Sequence, residues 1–292
     1  MNAPKTNAAV LFGPAAALAV SFLMSVAGVA PLPGDRGAPQ PSTTRQAGIR
    51  DLGTLGGEWS EANGVSDGGW IVGASQVAPG RRHATSRHAF LWRDGRMRDL
   101  GTLGGTESAA HDVNDAGRVV GVAQYDSVRA GDLIRRSRRA FLWEDGRMRG
   151  LGTLGGQHSE AHAINRDGWV VGRAQVAPGR RHSTSYHAFL WRDGTMRDLG
   201  TLGGTESVAL DVNARGQVVG ASVRDSVQSG DFVVRHRRAF LWQDGRMRSL
   251  GTLGGRESRA HAINGRGQVV GASTTRDGEL HAFLWEDGEM RD

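Results

Sequence analysis

The chain has 292 residues, no cysteine, 44 glycines and only 8 prolines, with 36 basic against 30 acidic residues for a net charge of +6. The absence of cysteine excludes disulfides, so packing must stabilise the fold. Many regularly spaced glycines without a matching excess of proline indicate tight turns and argue against a disordered tract.

The first residues have the features of an export signal. Lys5 provides a positive charge, an apolar stretch covers residues 8–24, and small residues follow up to Ala27. This pattern predicts a signal peptide over residues 1–27, cleaved after Ala27. The alternative is an uncleaved membrane anchor, because the apolar stretch approaches spanning length. No later segment is apolar enough to span a bilayer. We therefore expect a secreted, extracellular protein with no integral membrane segment once the signal is removed.

A proline-rich segment follows the signal. Four of the eight prolines fall within residues 31–48, which hold few apolar side chains. Such composition is typical of a flexible tether, so residues 28–48 are predicted to be a disordered linker. The folded part is then residues 49–292, which is predicted to be one domain.

The hexapeptide LGTLGG occurs five times in the folded part. The copies begin at Leu52, Leu100, Leu151, Leu199 and Leu250, in steps of 48, 51, 48 and 51 residues. A fixed period of this size indicates a repeat architecture. The predicted repeats are 52–99, 100–150, 151–198, 199–249 and 250–292. A residue present in every copy is first a candidate for the scaffold, whereas one that breaks the pattern is the better candidate for a site.

The third copy predicts four strands, at about 159–165, 169–176, 187–192 and 196–199. The first two are joined by NRDG, which suits a type I turn followed by a left-handed glycine. The last two are joined by Asp-Gly, a strong hairpin signal between apolar runs. The other copies repeat the Asp-Gly pair at Asp94, Asp145, Asp244 and Asp287.

The third strand of each copy contains AFLW, four consecutive apolar residues. Such a run suits a strand buried on both faces, as in a propeller blade that packs between two neighbours. The predicted fold is therefore all-β, a β-propeller of about five four-stranded blades, with LGTLGG crossing from one blade to the next. A β-solenoid remains an alternative, as does part of a larger propeller completed by further blades or by dimerisation.

Ring closure is available within the chain. Ile49–Leu52 resembles the fourth strand of the other copies and could complete the blade that holds Ala282–Trp285. Residues 290–292 compete for the same place. Closure would leave no open sheet edge.

These motifs resemble the HAF-repeat family of probable extracellular bacterial proteins, which is named for a His-Ala-Phe motif. The motif is present at His88, His187 and His281, within HAFLW-x-DG-x-M-RD. Arg139 and Arg238 replace the histidine in the second and fourth copies. The resemblance implies export and a repeat fold, and it carries no catalytic residue that could be transferred.

Several recurring polar residues are predicted to belong to the scaffold. The HAF histidine is expected to be a polar residue at a strand entrance. A second series of histidines in the first strand is expected to serve packing, because a leucine replaces it in the fourth copy: His111, His162 and His261. A recurring serine is expected to fix the crossing loop by a hydrogen bond; it stands at Ser60, Ser108, Ser159, Ser207 and Ser258. No catalytic residue, metal site or cofactor is predicted, and no pair of carboxylates is singled out among Asp112, Asp211 and their neighbours.

The segment between the second and third strands varies most and gathers positive charge. Its candidate ligand-binding residues are Arg81, Arg82, Arg135, Arg136, Arg138, Arg180, Arg181, Arg235 and Arg237. Blade topology would place these loops at the same face, where converging guanidinium groups could bind carboxylates, phosphates or sulfates. Solvated loops without a ligand are the alternative.

The preferred function is a non-catalytic binding or interaction module, monomeric, for an anionic polysaccharide or cell-envelope polymer. Nucleic acid is disfavoured because the arginines are not interleaved with aromatic residues. One alternative is a polysaccharide hydrolase or lyase at the ring centre. Such an enzyme should have one blade with an acidic or histidine cluster that the other blades lack, and no such cluster is evident in the sequence. The other alternative is a passive surface scaffold.

Overall fold

The computed structural model describes residues 48–77, 86–130, 133–177, 185–229 and 232–292, with the side chains of 126–136 and 226–234 outside the description. The predicted signal peptide and nearly all of the predicted linker lie outside the described residues. The chain divides into two compact units, Met1–Asp51 and Leu52–Asp292. Within the described ranges, no helix has the length and apolar character needed to cross a membrane.

The second unit consists of five four-stranded antiparallel sheets, and the strands of each sheet follow one another in chain order. The first is β1 (Gly56–Val65), β2 (Ile71–Val77), β3 (Arg87–Arg93) and β4 (Arg96–Asp99). The second is β5 (Ser108–Val113), β6 (Val119–Ala130), β7 (Leu133–Glu144) and β8 (Arg147–Gly150). The third is β9 (Gly155–Ile164), β10 (Val170–Val176), β11 (Tyr186–Arg192) and β12 (Thr195–Asp198). The fourth is β13 (Ser207–Val212), β14 (Val218–Ser229), β15 (Phe232–Gln243) and β16 (Arg246–Gly251). The fifth is β17 (Gly254–Ile263), β18 (Val269–Thr275), β19 (Leu280–Glu286) and β20 (Glu289–Arg291).

These sheets confirm the predicted blades, including the strand order and the turns. At the hairpin between β7 and β8, Asp145 has φ of 50° and Gly146 has φ of 81°. Two successive residues with positive φ are typical of a type I′ turn, whose twist matches that of the strands. The turn between β9 and β10 ends on Gly168, whose φ of 86° also lies in the left-handed region. The expected left-handed glycine is therefore present.

The recurring serine fixes the crossing between blades, as predicted. The Ser108 hydroxyl donates to the carbonyl of Gly101 at 2.5 Å and accepts from the buried backbone N–H of Ala89 at 2.8 Å. Gly101 belongs to the crossing segment and Ala89 to the third strand of the preceding blade. One side chain thus joins the crossing, the preceding blade and the blade that begins at β5.

The core lies between the sheets, and each sheet contributes two apolar faces. Val119 and Phe141 of the second sheet pack towards the first sheet, whereas Val120 and Leu142 pack towards the third. We call these the N-side face and the C-side face of a blade. AFLW is buried along its whole length in the first four sheets, as the sequence predicts. Among the described residues, four buried clusters of this kind join the five sheets in chain order.

The outermost faces of this row are exposed in part. On the N-side face of the first blade, Val65 is 69% exposed, whereas Phe90 and Trp92 of the same face are buried. On the C-side face of the fifth blade, Val270 is 46% exposed and Ala282 is exposed. The corresponding residues inside the row are buried.

Of the two segments that could complete the fifth blade, the structure uses the one at the end of that blade. Residues 49–52 form no strand, Ile49 is fully exposed, and β20 is the fourth strand of the fifth sheet. The chain from 289 to 291 therefore takes the place for which the two segments compete. It does so because it continues directly from the Asp-Gly hairpin and needs no long-range closure.

The variable segment is not a loop in the second and fourth copies. There the second and third strands extend to 12 residues each and pair along their length, with Val128 opposite Arg135 and Ser226 opposite Arg235. Extra residues in these copies lengthen a β-hairpin. The segments of the first and third copies, 78–85 and 178–184, lie outside the described residues.

Replacing Ser108 with alanine should lower the free energy of unfolding by about 1–3 kcal/mol, because the buried Ala89 N–H loses its acceptor. Urea denaturation followed by tryptophan fluorescence measures the change. Ser249→Ala is the matched control, since the exposed Ser249 hydroxyl accepts one bond from the described residues, from the Gly251 N–H at 3.2 Å. Equal losses in both variants would contradict the proposed contribution of the crossing serine.

Candidate functional site

The first strands of the five blades run next to one another and form the inner edge of the row. Each inner strand has a β-bulge, and in β5 the bulged residue is His111, between the paired residues Ala110 and Asp112. A bulge redirects a side chain out of the regular alternation. The His111 Nδ1 lies 2.8 Å from the carbonyl oxygen of Ala161 in the next blade.

The same contact recurs in the neighbouring blades. The His162 Nδ1 lies 2.8 Å from the carbonyl oxygen of Ala209, and the Asn63 amide donates to the carbonyl of Ala110. The sequence assigns the histidines to packing, and the structure adds a hydrogen bond to the next blade for His111 and His162. They are hydrogen-bond donors between blades. The leucine at the fourth position lacks such a donor.

The Nδ1 atom of each histidine donates to a carbonyl. The Nε2 atom on the other side of each ring lies near the carboxylate of Glu160 in β9. The Nε2 of His162 lies 3.7 Å from Oε2 of Glu160, and the Nε2 of His111 lies 3.9 Å from Oε1. The two imidazole rings are 6.2 Å apart between centroids. One carboxylate thus faces two imidazoles contributed by two blades.

Glu160 also forms an ion pair across the sheet. Arg173 stands directly opposite it in β10 and donates from Nη2 at 2.8 Å and from Nε at 3.1 Å. The Arg173 guanidinium lies 5.3 Å from the ring centroid of Tyr186, within cation–π range. In the other blades the corresponding pairs are Glu61 with Ala74, Ala109 with Val122, Val208 with Ala221 and Arg259 with Ala272.

The surroundings set the charge of this cluster. Burial alone raises the pKa of Glu160, but the hydrogen bond and charge of His162, together with Arg173 and His111, hold it well below its usual range. Burial lowers the pKa of His111, and this outweighs the attraction of Glu160. At neutral pH we therefore take Glu160 as ionised and His111 as neutral, with its Nε2 free to accept a proton.

A second guanidinium is nearby, and the described residues include no ion-pair partner for it. Burial lowers the pKa of Arg259, and the positive charges of Arg237 and Arg173 lower it further. Its Nε is buried and has no hydrogen-bond partner among the described residues. Arg173, Arg237 and Arg259, with Glu160, His111 and His162, form what we call the central cluster. Arg173 is paired with Glu160, and Arg237 lies 3.6 Å from a Glu206 carboxylate oxygen, so Arg259 is the guanidinium of the cluster for which no carboxylate partner is described.

The arginines predicted from the sequence have different surroundings. Arg237 belongs to the central cluster and also lies 3.6 Å from a Glu206 carboxylate oxygen. Arg138 lies 3.7 Å from Glu107, and Arg235 is exposed. For two more only the backbone in β7 is described, namely Arg135 and Arg136. Four lie outside the described residues: Arg81, Arg82, Arg180 and Arg181.

The HAF histidine makes a contact within its own blade. The His88 Nδ1 lies 2.8 Å from Asp99, and the His187 Nδ1 lies 2.8 Å from Asp198. Copies with arginine in place of the histidine also lack the aspartate, with Gly150 in the second. The histidine therefore joins the third strand to the fourth, near the strand entrance where the sequence places it.

Other polar groups hold the blades together. Asp112 accepts backbone N–H groups from Val113 and from Ile164 of the next blade, each at 2.8 Å. Burial raises the pKa of Asp112 to about 6. Asp211 makes the equivalent bonds to Val212 and Ile263. Within the described residues, no group of three or more His, Asp or Glu is arranged to hold a metal ion.

Sequence reasoning missed Glu160, Arg173 and Arg259, although a signal was present. Arg173 breaks the repeat, because the other copies carry alanine or valine at its register position. Glu160 and Arg259 share one register position, which holds glutamate in the first copy, alanine in the second and valine in the fourth. Aligning the copies on the recurring serine would have singled them out. What the sequence did not show was that a bulge turns the histidines towards Glu160.

Comparison of the sequence with known protein families and with curated proteins finds no match. Solved structures show a distant similarity to β-propeller domains. The β-propeller domain of the trilobed protease of Pyrococcus furiosus is 14% identical, with 76% of this chain and 62% of that one covered and a TM-score of 0.45. TolB of Acinetobacter baumannii is 13% identical, with 80% and 56% covered and a TM-score of 0.42. The chain thus covers less than two thirds of either protein, and the likeness concerns the fold alone.

Glu160→Gln should destabilise the fold by about 1–2 kcal/mol at pH 7, because Arg173 loses its charged partner in a partly exposed site. The pKa of Glu160 is lower in the folded state, so its stabilisation is present above the ordinary pKa of 4.5 and is lost as the pH falls below it. The difference between variant and parent should therefore shrink in acid. Urea unfolding at a series of pH values measures it.

Glu61→Gln is the control, since Glu61 occupies the same register position in the first blade, is exposed and stands opposite Ala74. We expect a change within about 0.5 kcal/mol, as for most surface substitutions. A pH-independent difference for Glu160→Gln would contradict the assigned charge state.

Proposed function

We propose that this protein is a binding module for anionic polymers, with the central cluster as its anchoring site. The observation that carries the proposal is the environment of Arg259. Two like charges, Arg173 and Arg237, lie near its half-buried guanidinium, and its Nε has no partner among the described residues. Such a group is costly to keep unpaired, and an acidic group of a ligand supplies the missing counter-charge.

The proposal also includes the arginines of the two long hairpins, on the ground of the backbone position of these hairpins. The hairpins β6–β7 and β14–β15 leave their blades at the end where the inner strands begin, and they carry Arg135, Arg136 and Arg235. A polymer with regularly spaced charges could contact several blades at once, which raises avidity without a new kind of contact. The ligand class is an acidic polysaccharide or cell-envelope polymer. The HAF-repeat resemblance and the N-terminal apolar segment support export.

Binding should be detected by biolayer interferometry on immobilised polygalacturonate and dextran sulfate, with neutral dextran as reference. We expect salt-sensitive binding to the two anionic polymers. Arg259→Gln and Arg237→Gln should each weaken it roughly tenfold or more, since hydrogen bonds to charged groups contribute about 1.5–3 kcal/mol.

Arg96→Gln is the matched control. Arg96 is exposed at the Asp-Gly hairpin, at the opposite end of the blade, so its loss removes the same net charge. Equal weakening by Arg96→Gln would show that only net charge matters. Absence of binding to either anionic polymer would remove the proposal. Replacing Arg135, Arg136 and Arg235 together with glutamine tests the hairpins separately.

A second function, cleavage of such polymers by β-elimination, is favoured by one observation. His111, Glu160 and His162 form the asymmetric cluster that an enzyme at the centre would require. A neutral His111 Nε2 would take the C5 proton next to a uronate carboxylate, while a guanidinium neutralises that carboxylate. The electrons of the C–H bond form the C4=C5 double bond, the C4–O glycosidic bond breaks, and the leaving oxygen takes a proton from water. Hydrolysis is less well supported, because it needs two carboxylates and the cluster holds only Glu160, paired with Arg173.

Incubation with polygalacturonate tests this function through the ultraviolet absorbance of the unsaturated product. If the parent protein is active, His111→Asn should abolish the increase, and His261→Asn, the exposed counterpart in the fifth blade, should preserve it. A parent protein that binds the polymer without producing absorbance is a binding module and no lyase.

A further inference from the structure

We infer that the second blade holds a second ligand site, in which Arg139 binds the carboxylate of a sugar acid next to the exposed ring of Tyr125. The ligand class, an acidic polysaccharide, is that of the proposed function, and the inference rests on the proposed function to that extent. The site shares no residue with the central cluster, so a test can distinguish the two.

In three blades the HAF histidine has an aspartate at the end of the fourth strand as its partner. The distance from the histidine Nδ1 to the carboxylate is 2.8 Å in the first and third blades and 2.7 Å in the fifth. The same carboxylate accepts the N–H of the glycine two residues later, at 2.7 Å for Asp99 with Gly101 and for Asp198 with Gly200. In the first and third blades one carboxylate thus serves a side-chain donor and a backbone donor.

The second blade keeps the two donors and lacks the carboxylate. Gly150 stands at the position of Asp99, because each pairs with the phenylalanine of AFLW in its blade. Arg139 replaces the histidine. The corresponding backbone donor belongs to Gly152, which has the positive φ of its counterparts, 87°. No described residue accepts a hydrogen bond from the Gly152 N–H.

The fold itself does not require glycine at position 150. Gly150 belongs to β8 and has no positive φ. A Cβ there would lie 3.4 Å from the Leu103 side chain and 3.9 Å from the Cβ of Arg139, which are ordinary contact distances. An aspartate would therefore fit and would start next to Arg139. Because Gly150 is exposed, a carboxylate from a ligand can reach the same place.

The Arg139 guanidinium forms no ion pair within the described residues, and its buried Nη1 has no hydrogen-bond partner there. It lies 5.2 Å from the ring centroid of Tyr125, but this ring is neutral and leaves the charge unbalanced. Burial lowers the pKa of His158, and the positive charges of Arg139 and Arg138 lower it further, so the local field is positive. A buried cationic donor without an acceptor is costly, and a ligand carboxylate removes that cost.

The ligand is a sugar acid because two different groups meet at this site. The donors of Arg139 and Gly152 correspond to those that hold the Asp99 carboxylate in the first blade. Beside them, the ring of Tyr125 is 52% exposed and offers an aromatic face to the apolar side of a sugar ring. In a uronate the carboxylate is attached directly to the sugar ring, so one unit of the polymer contacts both groups.

The chain has only two tyrosines, and each is next to one of the two sites. Tyr125 lies beside Arg139, and Tyr186 lies beside Arg173 of the central cluster. The full chain labelled with 3-fluorotyrosine should therefore give two ¹⁹F NMR signals, assigned with Tyr125→Phe and Tyr186→Phe. On titration with trigalacturonate, the Tyr125 signal should shift and saturate. Maltotriose, which has the sugar rings and no carboxylate, should leave it unchanged.

Gly150→Asp tests the site without removing any of its donors. The new carboxylate should pair with Arg139, raise the midpoint of thermal unfolding and weaken the trigalacturonate response of Tyr125 roughly tenfold or more. The Tyr186 response should not change. Ser249→Asp is the matched control, because Ser249 holds the same position in the fourth blade and the substitution adds the same charge. It should leave the Tyr125 response intact. Circular dichroism checks that both variants fold.

The two signals separate this inference from the proposed function. A trigalacturonate response of Tyr186 without one of Tyr125 overturns the second site and leaves the central cluster as the anchor. A response of Tyr125 alone supports the second site and removes the central cluster. Silence of both signals overturns both. An equal response of Tyr125 to maltotriose, or an unchanged response in folded Gly150→Asp, also overturns the inference.

Discussion

Each blade has two apolar faces, and this constraint determines the rest of the structure. Val119 and Val120 are adjacent in one strand and point to opposite neighbours, and Phe141 and Leu142 do the same in the next strand. A single four-stranded sheet would leave both of these layers in water, so a blade is stable only when it packs on another blade. The side chains of Ser108 and Asp112 then bond across blades because the packed sheets leave backbone groups there that need partners.

This constraint also explains where functional residues can occur. The residues between the sheets are fixed by packing, and the crossings and turns are fixed by glycine and serine. Residues at the inner edge are less constrained. The position that holds Glu160 in the third blade holds Glu61 in the first blade and Ala109 in the second. A charged pair such as Glu160 and Arg173 can therefore be added to one blade without altering the interfaces. Asymmetry at the inner edge is the clearest indication of a site in this chain.

The sequence was sufficient to predict features that depend on nearby residues. The Asp-Gly hairpins, the strands with AFLW and the crossings follow from turn chemistry and apolar pattern within a single copy. The central cluster depends on a bulge that turns His111 and on contacts between the second and third blades, which are 50 residues apart in the chain. The long hairpins were missed for another reason, because their many arginines were interpreted as a loop although QSGDFVVRHRR contains a phenylalanine and two valines in a row, which are residue types favoured in strands.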